Sequence, residues 1–162
     1  MAIRAGKFTW YVQLGGYDYD RFDQKGETDY QKFIDEFEKF PWLEQLDSYN
    51  EIQQGTTPSL SVKDEGTGTD FWVSMAGDRN DHGYMLGYIY PKDKKRGFSP
   101  KTVRWLEIYA TEDKQVVKDC FKLYFDRDYE KLETTIKRLA QQGERIPVQY
   151  GESPSLATGK RD

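Results

Sequence analysis

Four consecutive segments with the composition of strands, joined by short connections, constrain the fold of this chain most strongly. Each is rich in β-branched or aromatic residues, and clusters of Gly, Pro, Asp or Asn separate them. The connections are too short for crossover helices, so neighbouring strands are expected to pair antiparallel. The four segments are Ser59 to Lys63, Thr69 to Ala76, Tyr84 to Tyr90 and Thr102 to Ala110.

One strand and two helices are predicted before this run. Apolar and polar residues alternate from Lys7 to Leu14, as in a half-buried strand. A polar loop, GYDYDRFDQKGET, follows it, and apolar residues then recur at helical spacing from Tyr30 to Phe40. Thr28 and Gln31 match a capping box. Pro41 ends this helix, a short helix from Trp42 to Leu46 comes next, and Ser48 to Pro58 is predicted to be irregular.

Two further helices are predicted after the strands. The region that begins at Thr111 carries one apolar stripe ending at Tyr124 and a second one starting at Tyr129. Tyr124 and Tyr129 are five residues apart, one more than the spacing of four that keeps two residues on one helical stripe, so the helix is expected to break between them. Asp126 or Asp128 could cap the new helix.

The order β-α-α-β-β-β-β-α-α predicts a single α+β domain over residues 1–150. Its mainly antiparallel sheet of about five strands would carry the helices on one face. The other face would be partly solvated or would serve as a contact surface. Ile146 to Tyr150 could add an edge segment, and residues 151–162 are predicted to form a mobile C-terminal tail.

Composition indicates a folded chain in a reducing compartment. Nine Phe, twelve Tyr and four Trp residues make up 15% of the chain, although the mean hydropathy is only −0.91. No apolar stretch is long enough to cross a bilayer, and the N-terminal residues lack the apolar run of a signal peptide. One cysteine, Cys120, excludes an internal disulfide. A cytoplasmic location without membrane contact is therefore expected.

The only histidine, His82, lies in the segment GDRNDHG, which partly matches a calcium loop. Asp78, Asn80, His82 and Gly83 occupy four positions of that pattern, but the twelfth position, where a bidentate Glu is required, holds Ile89. The same residues favour a turn between two strands. A hairpin turn is therefore predicted here, and no metal site.

Motifs for catalysis or for cofactor binding are missing. Ser74 lies within a predicted strand, Cys120 lies on an apolar helical stripe, and GTGTDF lacks the G-K-[ST] of a phosphate loop. Asp18, Asp20 and Asp23 are the clearest carboxylate cluster, but they are interpreted as a solvated acidic loop rather than as a catalytic pair. No catalytic residue and no cofactor are predicted.

Charge is distributed unevenly along the chain. Residues 18–51 contain eleven acidic and four basic residues, a net charge of −7, whereas residues 92–104 contain six basic residues and one acidic residue, a net charge of +5. Nucleic acid is disfavoured as the main partner because the whole chain has a net charge of −4. Two interpretations of the basic residues 92–104 remain: a solvated loop between two strands, or a loop that contacts an acidic protein. The predicted contact residues of this basic loop are Lys92, Lys94, Lys95, Arg96, Lys101 and Arg104.

Two classes of function follow from these observations. The first is a non-catalytic protein-binding module, comparable with a small inhibitor, an immunity-type protein or an assembly subunit. The second is a small-ligand-binding protein or hydrolase with a carboxylate-based site in an aromatic-lined pocket. Aromatic candidates for a partner surface are Trp72, Tyr84, Tyr88 and Trp105, although most of these rings are expected to fill the core between sheet and helices.

Overall fold

The computed structural model describes residues 6–96, 99–142 and 149–152; for 93–96, 99–102, 140–142 and 149–152 it describes the backbone only. These residues form four helices and a seven-stranded antiparallel sheet of order β2-β1-β3-β4-β5-β6-β7. The elements are β1 (Phe8–Gln13), β2 (Asp23–Thr28), α1 (Tyr30–Lys39), α2 (Trp42–Ile52), β3 (Ser59–Asp64), β4 (Thr69–Gly77), β5 (His82–Arg96), β6 (Ser99–Thr111), α3 (Lys114–Phe125), α4 (Tyr129–Gln142) and β7 (Gln149–Glu152).

The predicted α+β fold, with the helices on one face of an antiparallel sheet, is confirmed. The predicted strand number was too low, because β2 forms within the segment predicted as a polar loop. This strand pairs with β1 at the edge of the sheet, where polar and charged side chains are exposed at little cost. β7 is the edge strand on the other side and overlaps the predicted edge segment; residues 146–148 of that segment and 153–162 of the predicted tail lie outside the described residues.

Two local predictions near α1 and α2 were wrong. Asp29 rather than Thr28 caps α1, since its carboxylate accepts the N–H of Lys32 at 2.9 Å. α2 continues past Leu46 to Ile52 and ends where Gln53 adopts a left-handed conformation. Its added turns lie at the protein surface, where a helix needs no continuous apolar stripe.

The predicted break between the last two helices is confirmed. Arg127 adopts a left-handed conformation with φ of 57° between α3 and α4. The carboxylate of Asp128 accepts the N–H of Lys131 at 3.2 Å, as expected for a helix cap. The first helix of this pair begins at Lys114, after Asp113 as N-cap, rather than at Thr111.

Aromatic rings fill the space between the helices and the sheet. The ring of Phe121 in α3 lies 4.6 Å from that of Phe33 in α1 and 4.5 Å from that of Phe71 in β4, measured between centroids. All three side chains are fully buried. Cys120 is also buried in this layer, and burial raises the pKa of its thiol to about 12, so the thiol stays protonated at neutral pH.

The opposite side of the sheet, here called the open face, is covered by none of the helices in the described part of the chain. No helix among the described residues is long and apolar enough to span a bilayer. Strand alternation and register assign the members of the open face. On β1 and on β3 to β6 they are Thr9, Tyr11, Gln13, Ser59, Ser61, Lys63, Asp70, Trp72, Ser74, Ala76, Gly83, Met85, Gly87, Ile89, Pro91, Arg104, Leu106, Ile108 and Ala110. Gln24 and Glu27 of β2 continue this face at the edge of the sheet.

Candidate functional site

The basic segment was predicted to be a loop, but in the structure it forms the outer part of the β5–β6 hairpin. Pairing of β4 with β5 ends at Ile89, and pairing of β7 with β6 ends at Trp105. Beyond these points, residues 91–96 and 99–104 pair only with each other among the described strands. We call these two stretches the basic ribbon. The high density of lysine did not prevent strand formation, because an unflanked ribbon leaves long charged side chains access to water.

The six predicted contact residues all belong to the basic ribbon. The backbones of Lys94 and Lys101 pair directly across it, and Lys95 and Arg96 pair with Pro100 and Ser99. The side chains of Lys94, Lys95, Arg96 and Lys101 lie outside the described residues. Lys92 is exposed, and its ammonium lies 4.2 Å from the ring centroid of Trp105. This contact fixes one cation at the base of the ribbon.

Arg104 differs from the other cations because its guanidinium already binds groups of the same chain. Its guanidinium reaches across β5, donates to the carbonyl of Gly68 at 3.0 Å and forms an ion pair with Asp70. The side chain of Ile89 beneath this bridge is only 5% exposed. Burial raises the pKa of Asp70, although the Arg104 guanidinium opposes the shift. Arg104 therefore anchors the base of the basic ribbon to β4 and is not free to contact a partner.

The structure separates the four aromatic candidates. Tyr84 and Tyr88 face the helices and are 8% and 3% exposed, so they belong to the core. Trp105, which pairs with Tyr90, lies on the same side at the base of the basic ribbon, and Trp72 lies on the open face. Both tryptophans are partly exposed, so they remain candidates for a contact surface.

The position of Trp72 depends on a glycine in the neighbouring strand. A Cβ atom added at Gly87 would lie 2.0 Å from the indole ring of Trp72. The ring therefore lies flat across β5, in close contact with its backbone. Any side chain at position 87 would displace the indole from the open face.

The histidine segment forms the turn between β4 and β5, as its composition predicts. The carboxylate of Asp78 accepts the N–H groups of Asn80 at 2.8 Å and Asp81 at 2.9 Å. These bonds hold the pKa of Asp78 below its usual value. Nδ1 of His82 lies 3.1 Å from the carbonyl oxygen of Asp78. Over residues 6–96, 99–142 and 149–152, no three potential metal-ligating side chains form a cluster.

The acidic cluster after β1 does not converge. Asp18 and Asp20 are exposed, whereas Asp23 accepts a hydrogen bond from the Tyr17 hydroxyl at 2.8 Å. This arrangement does not bring two free carboxylates to one point.

Two buried carboxylates that the sequence reasoning missed lie on the helix-facing side of the sheet. The first, Asp64, is fully buried and accepts from three donors. Gly66 N–H and Arg127 Nε donate to it, each at 2.9 Å, and the hydroxyl of Tyr129 donates as well. Burial opposes ionisation, but the hydrogen bonds from Tyr129, Arg127 and Gly66 outweigh it and lower the pKa of Asp64.

The second buried carboxylate, Glu107, is 1% exposed and less well satisfied. Its Oε1 accepts from the Tyr90 hydroxyl at 3.2 Å and lies 3.8 Å from the ammonium of Lys137, while its Oε2 has no hydrogen-bond partner. Glu133 from α4 contacts the same Tyr90 hydroxyl at 3.4 Å. Burial and the negative charge of Glu133 raise the pKa of Glu107.

A sequence signal for both residues was present in the alternation of the strands. Asp64 and Glu107 occupy positions that point inward, in phase with Val62 and Tyr109. A carboxylate at an inward position of a half-buried strand is unusual, because a buried charge needs partners. The alternation alone could have identified these positions, but not their partners, since Arg127, Tyr129 and Glu133 come from the distant helical region.

Chemically, the Glu107 cluster could supply a protonated carboxyl group next to a second carboxylate. In the structure, however, α4 covers this cluster and leaves almost no surface for a ligand. A cleft of about 210 Å³ lies elsewhere, between the first two strands and the end of α1, near Trp10, Lys25 and Phe40. The cleft and the buried carboxylates therefore do not combine into one site. Comparison of the chain with protein-family models, curated proteins and solved structures found no match.

Proposed function

We propose that this protein is a non-catalytic protein-binding module whose basic ribbon contacts an acidic surface of a partner protein. The observation that carries the proposal is the ribbon itself: two paired strands that extend beyond their neighbours and concentrate five basic residues besides Arg104 against one acidic residue. A small inhibitor, an immunity-type protein or an assembly subunit would fit this role.

The anchored base of the basic ribbon supports binding. Arg104 bonded to Asp70 and Gly68, together with Lys92 over Trp105, ties the first residues of the ribbon to the sheet. A surface ordered before binding loses less conformational entropy when a partner docks. Concentrated charge also accelerates association with an oppositely charged surface.

The charge of the rest of the molecule favours a protein partner over nucleic acid. A two-stranded ribbon is narrow enough to enter a DNA major groove. However, β2, α1 and α2 lie within the segment of net charge −7, and the whole chain carries −4. A long polyanion would meet this repulsive surface, whereas a compact acidic protein can contact the ribbon alone.

Affinity capture with matched variants tests this proposal. The ribbon variant carries Lys94→Glu, Lys95→Glu and Arg96→Glu. The control variant carries Lys122→Glu, Lys131→Glu and Arg138→Glu, which change the net charge equally at exposed positions of α3 and α4. Wild type and control should retain the same acidic protein from extracts of the source organism, and the ribbon variant should lose it. Equal retention by all three, or nuclease-sensitive capture, would contradict the proposal.

A second candidate function, a hydrolase with a carboxylate-based site, is favoured by one observation, the raised pKa of Glu107 beside Glu133. Chromogenic nitrophenyl esters and glycosides provide the test, with Glu107→Gln as the matched variant. Turnover by wild type that this variant abolishes would favour the hydrolase. Absence of turnover across the series would favour the binding module.

A further inference from the structure

We propose that the open face is the contact surface for a second copy of this chain, so that two sheets pack face to face in a two-fold symmetric dimer. This surface is distinct from the outer part of the basic ribbon. The chemistry of the open face differs from that of the remaining surface.

The open face has an apolar centre and a polar margin. Trp72, Met85 and Leu106 are partly exposed on three adjacent strands, with buried Ile89 and Ile108 between and beside them. Hydroxyl and amide side chains of β1 and β3 surround this centre on one side. An apolar centre within a polar rim is the usual composition of a protein interface.

The charge of the open face favours a second copy as the occupant. Of its nineteen members on β1 and β3 to β6 only Lys63, Asp70 and Arg104 are charged, and the last two neutralise each other; Glu27 adds a charge at the β2 edge. In the whole chain, by contrast, 32% of the residues are charged. Two copies of net charge −4 repel each other at long range, and a contact adds least to this repulsion when it is made through a surface with few charges. The open face is such a surface, and it offers little charge to attract an acidic or basic partner.

The dimensions of the open face are also sufficient. Five strands about 4.8 Å apart, each contributing about six residues at about 3.3 Å, give a projected footprint of roughly 500 Å² per copy. Residues 19–22 of the same chain cover part of the β1 margin of this area. Two copies would bury about 1,000 Å² of projected area, and the corrugated accessible area is larger. Stable interfaces begin at roughly this size. Packing two such faces would also place the exposed part of the Trp72 indole in an apolar environment.

Sedimentation velocity of the full chain tests the dimer. Between about 1 and about 200 µM, wild type should shift from the 19.1 kDa monomer toward twice that mass. Met85→Lys and Leu106→Lys should each weaken dimerisation roughly tenfold or more, because each places two like charges in the interface. Ser61→Lys introduces the same charge at a polar position of the same face, where loss of folding is not expected.

The matched control is Ile52→Lys, which places the same charge at an apolar residue that is 51% exposed on α2, away from the open face. This variant should dimerise like wild type. Circular dichroism checks that all variants are folded. A wild-type protein that stays monomeric throughout this range would overturn the inference, as would a dimer that Met85→Lys, Leu106→Lys and Ser61→Lys all leave intact. The ribbon variant should remain dimeric, so this test is independent of the proposed acidic partner.

Discussion

Asp64 and Glu107 are both buried carboxylates on the same side of the same sheet, yet their surroundings differ. Asp64 accepts from a backbone N–H, a guanidinium and a hydroxyl. Glu107 accepts from one hydroxyl, has an unpartnered oxygen and lies near a second carboxylate. The pKa of Asp64 is lowered and that of Glu107 is raised. Burial alone therefore does not determine the direction in which the pKa of a carboxylate shifts. The number of hydrogen-bond donors around the carboxylate determines it.

The contrast also separates two structural roles. Asp64 joins the β3–β4 hairpin to the connection between α3 and α4, and it stabilises the fold through its ionised form. Tyr124 strengthens the same connection, since its hydroxyl accepts the N–H of Asp64 at 3.0 Å and donates to the carbonyl of Thr69 at 2.9 Å. Glu107 is a cost to the fold at neutral pH, because its charged form lacks full compensation.

The largest expected effect is the loss of Asp64. Asp64→Ala should lower the free energy of unfolding by about 3 kcal/mol or more at pH 7, because it leaves Nε of Arg127, the Tyr129 hydroxyl and the N–H of Gly66 without their acceptor. Urea denaturation measures this loss. Asp126→Asn is the control, since its carboxylate is 50% exposed and pairs with Lys122 on the helix surface; it should cost less than about 0.5 kcal/mol. Similar losses in both variants would show that Asp64 is not a structural anchor.

Glu107→Gln should have a smaller effect of the opposite sign. An amide can still accept the hydrogen bond from Tyr90, and it removes a buried charge, so unfolding at pH 8 should become harder by about 1 kcal/mol. Glu133→Gln is the comparison, because Glu133 is more exposed and pairs with Lys137 at 2.7 Å; this variant should gain no stability. A clear loss of stability in Glu107→Gln would mean that the carboxylate is better compensated than its contacts indicate.

The pH dependence of stability should divide into two windows with opposite slopes. The folded-state pKa of Asp64 lies below its ordinary value of 3.8, so its contribution is present above pH 3.8 and is lost as the pH falls through the folded-state value. The folded-state pKa of Glu107 lies above its ordinary value of 4.5, so stability declines as the pH rises from 4.5 through the folded-state value.

Unfolding free energies of wild type, Asp64→Asn and Glu107→Gln, measured from pH 2.5 to pH 9, test these slopes. The difference between wild type and Asp64→Asn should shrink toward acid pH. The difference between wild type and Glu107→Gln should shrink toward pH 4.5. A difference that does not change with pH in either window would contradict the assigned direction of that pKa shift.

The smallest expected effect concerns His82, a titratable side chain outside both clusters. Its ring contacts only the carbonyl of Asp78 among the described contacts, in an exposed turn. His82→Ala should change the free energy of unfolding by less than about 0.5 kcal/mol, as surface turn substitutions usually do. Thermal denaturation measures this change. A loss several times larger would show that the imidazole has a structural role comparable with that of Asp64.

The order of strands and helices could be predicted because each helix and each central strand carries its own apolar period, as Phe33, Phe37 and Phe121 illustrate. β2 could not be predicted in this way, because an edge strand stabilised by backbone pairing needs no apolar period. The basic ribbon was missed for the same reason. Its charge was evident, but its strand pairing is set by the hairpin register rather than by burial.

The candidate site could be predicted only in part. Charge is local in the sequence, so the six cations were found together. Whether a cation is already paired within the protein is not a local property of the sequence. The ion pair of Arg104 with Asp70 spans 34 positions, and the residues around Arg104 do not indicate it. The same limit applies to the aromatic candidates, since only the register distinguishes buried Tyr88 from Trp72 on the open face.

The central claim is that the basic ribbon recognises an acidic partner, and the salt dependence of the association rate tests it most directly. The captured partner is mixed with wild type, with the Lys94, Lys95 and Arg96 charge-reversal variant, and with the Lys122, Lys131 and Arg138 control. At low salt the ribbon variant should associate about tenfold more slowly or worse, and the difference should shrink as salt rises. Equal rates for the ribbon variant and wild type at every salt concentration would contradict the claim.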